Sequence, residues 1–141
     1  MSGKSFLDSN IFIYAYDDRD PHKQSIAIEL IRSVGFSGEG AISYQVMQEF
    51  FNLTLVKSSQ KMSPADAQKV LAIYFRPFFT ISPSLILLSE AIRIQERYRL
   101  SWYDSLIVAA AQQANCDTLY SEDLQHAQQF GAVTVRNPFL P

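Results

Sequence analysis

Short apolar runs recur at Phe6-Leu7, Ala41-Ile42, Phe78-Phe79-Thr80-Ile81, Thr118-Leu119-Tyr120 and Val133-Thr134-Val135, and longer stretches of helical character separate them. This alternation predicts an α/β fold with a mostly parallel central sheet of about five short strands flanked by helices. Helix starts are marked by Asp20-Pro21, Ser63-Pro64 and Ser82-Pro83, where a capping side chain precedes a proline at the first helical position. From Tyr44 to Val56, apolar residues at Val46, Met47, Phe50, Phe51 and Leu53 give a helix with a broad buried face. The stretch from about Asp104 to Ala114 is apolar all round over Leu106–Ala111, which predicts a helix packed between the sheet and other helices.

Nothing in this pattern divides the chain. Its 141 residues, 48% of them hydrophobic, suffice for one compact domain with a real core, so residues 1–141 are expected to form a single domain. A formal net charge of -2 provides no global positive field, so any polyanion has to be met locally. The lone Cys116 cannot close an intrachain disulfide, which points to a reducing, cytoplasmic setting, and no apolar run is long enough to span a bilayer. The start, Met1-Ser2-Gly3-Lys4-Ser5, leads straight into Phe6-Leu7-Asp8 without a signal-peptide core, so the whole chain is read as mature protein.

Ligands of parallel α/β sheets gather outside the carboxyl ends of the strands. Four acids belong to that edge. Asp8 directly follows the first strand; Glu49 lies in the helix after the second, at the border of its apolar face; Asp104 opens the helix that feeds the strand at Thr118; and Asp123 follows that strand. Each has a local alternative. Asp8-Ser9-Asn10 reads as a turn and cap before a helix Ile11–Tyr16, Ser101-Trp102-Tyr103-Asp104 as a capping-box-like start, and Ser121 with Asp123 as a helix cap with a first-turn acid. Glu49 escapes this account, because it lies too far inside its helix to cap it. Four acids at one edge repel each other, and a persistent cluster implies a cation. Oxygen ligands without neighbouring His or Cys suit Mg2+, with Mn2+ as a substitute. Such an ion activates water and neutralises phosphate oxygens, which is the chemistry of phosphodiester hydrolysis.

Phe6-Leu7-Asp8-Ser9-Asn10-Ile11, Glu49, Asp104-Ser105-Leu106-Ile107-Val108-Ala109-Ala110-Ala111, Tyr120-Ser121-Glu122-Asp123-Leu124 and Asn137-Pro138-Phe139 together resemble a PIN domain of the VapC toxin type. The likeness covers essentially the whole chain. It implies a metal-dependent endoribonuclease that leaves a 5′-phosphate and a 3′-hydroxyl, commonly the toxin of a toxin–antitoxin pair and often a homodimer. Asp8, Glu49, Asp104 and Asp123 match the catalytic, metal-holding acids, with Ser9, Asn10 and Ser121 around them. On this reading Asp8, Glu49 and Asp104 hold the principal ion, and Asp123 completes it or helps a second. Ser121 stands where the family often has Thr, which keeps the hydroxyl. Glu122 adjoins Asp123, which leaves two candidates for the acid that faces the metal.

Arg93, Arg97 and Arg99 crowd the approach to Asp104 with Tyr98, Trp102 and Tyr103 interleaved; Arg97 and Arg99 are the candidate RNA contacts, against an ordinary solvated helix end. An antitoxin would lay a helix or extended segment into an apolar groove. His22 and His126 read as solvated surface residues, Cys116 as a small buried hydrophobe, and Asp17, Asp18 and Asp20 as an exposed loop. Two other Mg2+-dependent phosphohydrolase patterns fail: a haloacid-dehalogenase phosphatase needs an Asp where Asn10 stands, and a response-regulator receiver needs an acidic pair near the first strand. The remaining alternative is a PIN-like protein-interaction module without catalysis.

Overall fold

The computed structural model describes residues 3–141, so the reading of Met1 and Ser2 lies outside the described residues. The described chain runs β1 (Ser5–Leu7), α1 (Ser9–Tyr16), α2 (Pro21–Ser37), β2 (Gly40–Ser43), α3 (Tyr44–Phe51), α4 (Pro64–Lys69), α5 (Arg76–Phe78), β3 (Phe79–Ile81), α6 (Leu85–Tyr98), α7 (Trp102–Gln113), β4 (Thr118–Tyr120), β5 (Gln129–Phe130) and β6 (Val133–Arg136). The sheet order is β3-β2-β1-β4-β6-β5, parallel throughout except for the antiparallel β5–β6 pair. The described sheet therefore has six strands, not about five. The sixth, Gln129–Phe130, is too short for a period-two pattern and exists through its hairpin with β6, where Gly131 takes φ 63°.

The chain leaves β1 for β2 on one side and later places β4 on the other, so the carboxyl ends of β1 and β4 form a topological switch point. The backbone N–H of Asp8 donates to Tyr120 O at 3.0 Å there, and Ser121 N–H donates to Arg136 O at 3.0 Å.

Asp20 and Ser63 cap α2 and α4 ahead of Pro21 and Pro64, as the sequence predicts. Three helix starts differ from expectation: α1 begins at Ser9, not Ile11, because Asp8 is its N-cap. α6 begins at Leu85 instead of following Ser82-Pro83, because Ser84 takes the cap and accepts Leu87 N–H at 3.0 Å. α7 begins two residues before Asp104, because Ser101 accepts Asp104 N–H at 3.2 Å. The helix expected over Tyr44–Val56 is regular only to Phe51 and widens into a π-helical run over Asn52–Lys57. A second π run, Val70–Phe75, ends just before Pro77, which has no N–H to continue an α ladder.

α7 is buried nearly all round, with Ile107–Ala111 inside, as its pattern demands. Phe6, Leu7, Ile42, Leu119 and Val135 line the buried sheet, and Phe12, Phe50 and Phe75 meet edge to face with centroids 5.0 and 5.1 Å from Phe75. Among the described residues no helix is long and apolar enough to cross a membrane.

Candidate active site

Asp8 leaves β1 as the N-cap of α1, which fixes its carboxylate at the switch point. One oxygen accepts Ser9 N–H at 2.7 Å, and the other accepts the Ser121 hydroxyl at 2.7 Å. The cap reading and the site reading of Asp8 therefore coexist in one side chain. Burial dominates its electrostatics and pushes the carboxyl up to about 7; the bonds from Ser121 and Ser9 oppose this, while repulsion from Glu49 and Asp123 adds to it.

Glu49 enters from the second turn of α3. Burial raises its pKa above the usual carboxylate range, with repulsion from Asp123 and Asp104 in the same direction. Gln45, one turn earlier, donates to its Oε2 at 3.4 Å and to Tyr103 O at 3.2 Å, tying α3 to the start of α7. Asp104 occupies the first turn of α7; burial raises its pKa, the Ser101 hydroxyl opposes the rise, and Asp123 adds to it. The capping role suggested for this segment belongs to Ser101, which leaves the Asp104 carboxylate free of that task. Asp123 is the exposed member, and its Oδ2 accepts Asn10 Nδ2 at 3.2 Å. Acids from four separate segments thus repel one another at one edge of the sheet.

The segment after β4 is not a helix, so Ser121 does not serve there as a helix cap. Its hydroxyl is spent on the site, donating to Asp8 and accepting Asp123 N–H at 3.1 Å. His126 is exposed, as expected, and its Nδ1 accepts Asn137 N–H at 3.0 Å.

Glu122 turns away from the acids. Its carboxylate lies 2.5 Å from Lys23 Nζ and accepts the Tyr14 hydroxyl at 2.6 Å, while its N–H donates to Asn10 Oδ1 at 3.3 Å. Burial opposes its ionisation, yet Lys23 and Tyr14 hold its pKa below the usual range. Lys23, Tyr14 and Gln45 escaped sequence reasoning, because a lysine one turn into a surface helix and a tyrosine inside another carry no pattern that announces their partners. The arginines lie apart from this network: Arg93 pairs with Glu90, Arg97 lies over the Tyr98 ring at 5.3 Å, and Arg99 ends α6 in the left-handed region at φ 60°. Cys116 is buried as expected, and burial drives its thiol up to about 12.

Among the described residues, no group of three His, Cys, Asp or Glu side chains stands close enough to grip one ion. The donor chemistry nonetheless fits a hard cation. Asp8 is a fully enclosed carboxylate with only neutral hydrogen-bond donors, and its neighbours contribute only carboxylate, amide and hydroxyl groups.

Acids gathered at the switch point of a parallel sheet define an α/β protein with an acidic site at its carboxyl edge. The PIN domain model matches residues 5–129, and the chain belongs to the PIN-domain family. PIN domains are generally metal-dependent nucleases. Among solved structures, a chain of a toxin–antitoxin complex from Klebsiella pneumoniae is similar in fold, with a TM-score of 0.67 at 18% identity over 96% of this chain and 98% of that one. No curated protein matches the sequence.

Proposed function

We propose that this PIN domain is a Mg2+-dependent endoribonuclease, with Mn2+ as a substitute, and that it acts in the cytoplasm as the toxin of a toxin–antitoxin pair. The observation that carries the reading is the enclosed Asp8 carboxylate, raised to about 7 and repelled by Glu49 and Asp123. A protein tolerates so costly an arrangement where the charge has work to do.

In this reading Asp8, Glu49 and Asp104 would draw together to hold the principal ion, and Asp123 would complete it or help a second. When bound, the ion lowers the pKa of a coordinated water and offsets charge on the scissile phosphate. Ser9 and Ser121 orient Asp8, Gln45 orients Glu49, and Asn10 orients Asp123. Arg97 and Arg99, exposed beside the start of α7, contact the RNA backbone.

The antitoxin belongs to the same proposal, supported by the structural neighbour, which comes from a toxin–antitoxin complex. An apolar groove of about 680 Å³, lined by Phe12, Tyr16, Ile31, Phe50, Ile73 and Tyr74, is suited to a helix or extended segment of such a partner. Homodimerisation follows from the family likeness alone.

The test is cleavage of total cellular RNA in Mg2+ or Mn2+, with new 5′-phosphate ends mapped by sequencing and Asp8→Asn and Asp104→Asn run in parallel. Discrete cuts that disappear in both variants support the ribonuclease. A folded protein that binds neither ion would instead be an interaction module.

A further inference from the structure

Asp123 is the most exposed of the four acids and sits in a segment without regular structure, so its position depends on what holds residues 121–123. Its direct ties are the 3.2 Å bond from Asn10 and the 3.1 Å bond from its own N–H to Ser121. Isolated hydrogen bonds of this kind hold an exposed side chain only weakly when water competes.

Glu122 supplies a stronger anchor next door. Its carboxylate is shared between Lys23 of α2, at 2.5 Å, and Tyr14 of α1, at 2.6 Å. Lys23 Nζ also reaches the Tyr14 hydroxyl at 3.2 Å, closing a three-membered network. The aromatic rings of Tyr14 and Phe139 wall the ammonium at 4.7 and 5.6 Å, and the two rings meet edge to face at 4.9 Å. The ion pair is thereby shielded, with 29% and 26% side-chain exposure, in contrast to the Arg32–Glu29 pair at 68% and 71%. Asn10 joins the two halves, because its Oδ1 takes Glu122 N–H while its Nδ2 reaches Asp123.

We propose that Lys23 and Glu122, with Tyr14, form a positioning clamp that sets the Asp123 carboxylate for divalent-cation binding; this rests on the metal reading above. None of the three is a ligand. The clamp acts through the backbone of residues 121–123.

The test uses Lys23→Met, Glu122→Ala, their double variant and Lys23→Arg in the full chain, with Mn2+ affinity from calorimetry and amide exchange at Glu122 and Asp123 in metal-free protein. Both single variants are expected to exchange faster at those amides and to bind Mn2+ about 10-fold more weakly, the scale for residues that orient ligands. The double variant should lose little more than either single one, because the two residues act as one unit. Lys23→Arg should recover most of the affinity. Unchanged exchange overturns the clamp. Faster exchange with Mn2+ affinity within twofold of wild type also overturns it, leaving a merely structural pair. A wild type that binds no Mn2+ overturns the metal reading and this inference together, whereas tight wild-type binding with unaltered variants overturns this inference alone.

Discussion

Asp8 affords a prediction whose sign depends on pH and on metal. Its carboxyl is raised from 3.8 to about 7, chiefly by burial. A native pKa above the unfolded value means that the folded protein keeps a proton that the unfolded chain has released between about pH 4 and pH 7. Stability from this group is therefore lost as pH rises through that window. At about 1.4 kcal/mol per unit, the three-unit shift costs the metal-free protein about 4 kcal/mol at pH 8. Asp8→Asn removes the charge and keeps an oxygen for Ser9 N–H, but it sets an amide N–H2 against the Ser121 hydroxyl. Ser121 must then accept instead of donate, at a cost of about 1–2 kcal/mol.

The variant should gain about 2–3 kcal/mol at pH 8 and lose about 1–2 kcal/mol at pH 4, where Asp8 is already protonated in the native state and only the Ser121 cost remains. For a chain of this length that corresponds to a melting temperature higher by about 6–12 °C at pH 8. At pH 8, Mn2+ at about 1,000 times its Kd should reverse the order, because it stabilises the wild type by about 4.1 kcal/mol and the variant lacks the site. Differential scanning calorimetry at pH 4 and pH 8, with and without Mn2+, reads all four values. A metal-free variant no more stable than wild type at pH 8, or one displaced equally at both pH values, refutes the argument that Asp8 is held at an electrostatic cost.

Three other outcomes follow from particular contacts. Ser121→Ala removes the donor to Asp8 and the acceptor for Asp123 N–H, so it should destabilise by about 1–3 kcal/mol and move the basic-going rise of cleavage to higher pH, read from a pH–rate profile. Gly40→Ala would place a Cβ 2.3 Å from the Phe78 ring and 2.8 Å from Val34 Cγ1, so overpacking should cost about 1–3 kcal/mol in denaturant titration. The buried Cys116 thiol, raised to about 12, should resist a maleimide at pH 8 in native protein and react promptly once the chain is unfolded.

What the sequence determined by itself was whatever local chemistry or periodicity governs. Alternation of apolar runs with helical stretches set the α/β architecture, Asp20-Pro21 and Ser63-Pro64 set two helix starts, and the apolar girth of Leu106–Ala111 set a central helix. Because a strand end in a parallel sheet fixes an edge, Asp8, Glu49, Asp104 and Asp123 were assignable to one side of the molecule from chain position alone. Tertiary structure decided what depends on a partner distant in the chain. β5 exists by pairing with β6, and Ser84 caps α6 although Pro83 locally favours a start after Ser82. Adjacent carboxylates are alike in sequence, so the separation of Glu122 from Asp123 waited on Lys23 and Tyr14, about 100 residues earlier in the chain, to draw one charge away from the acidic edge.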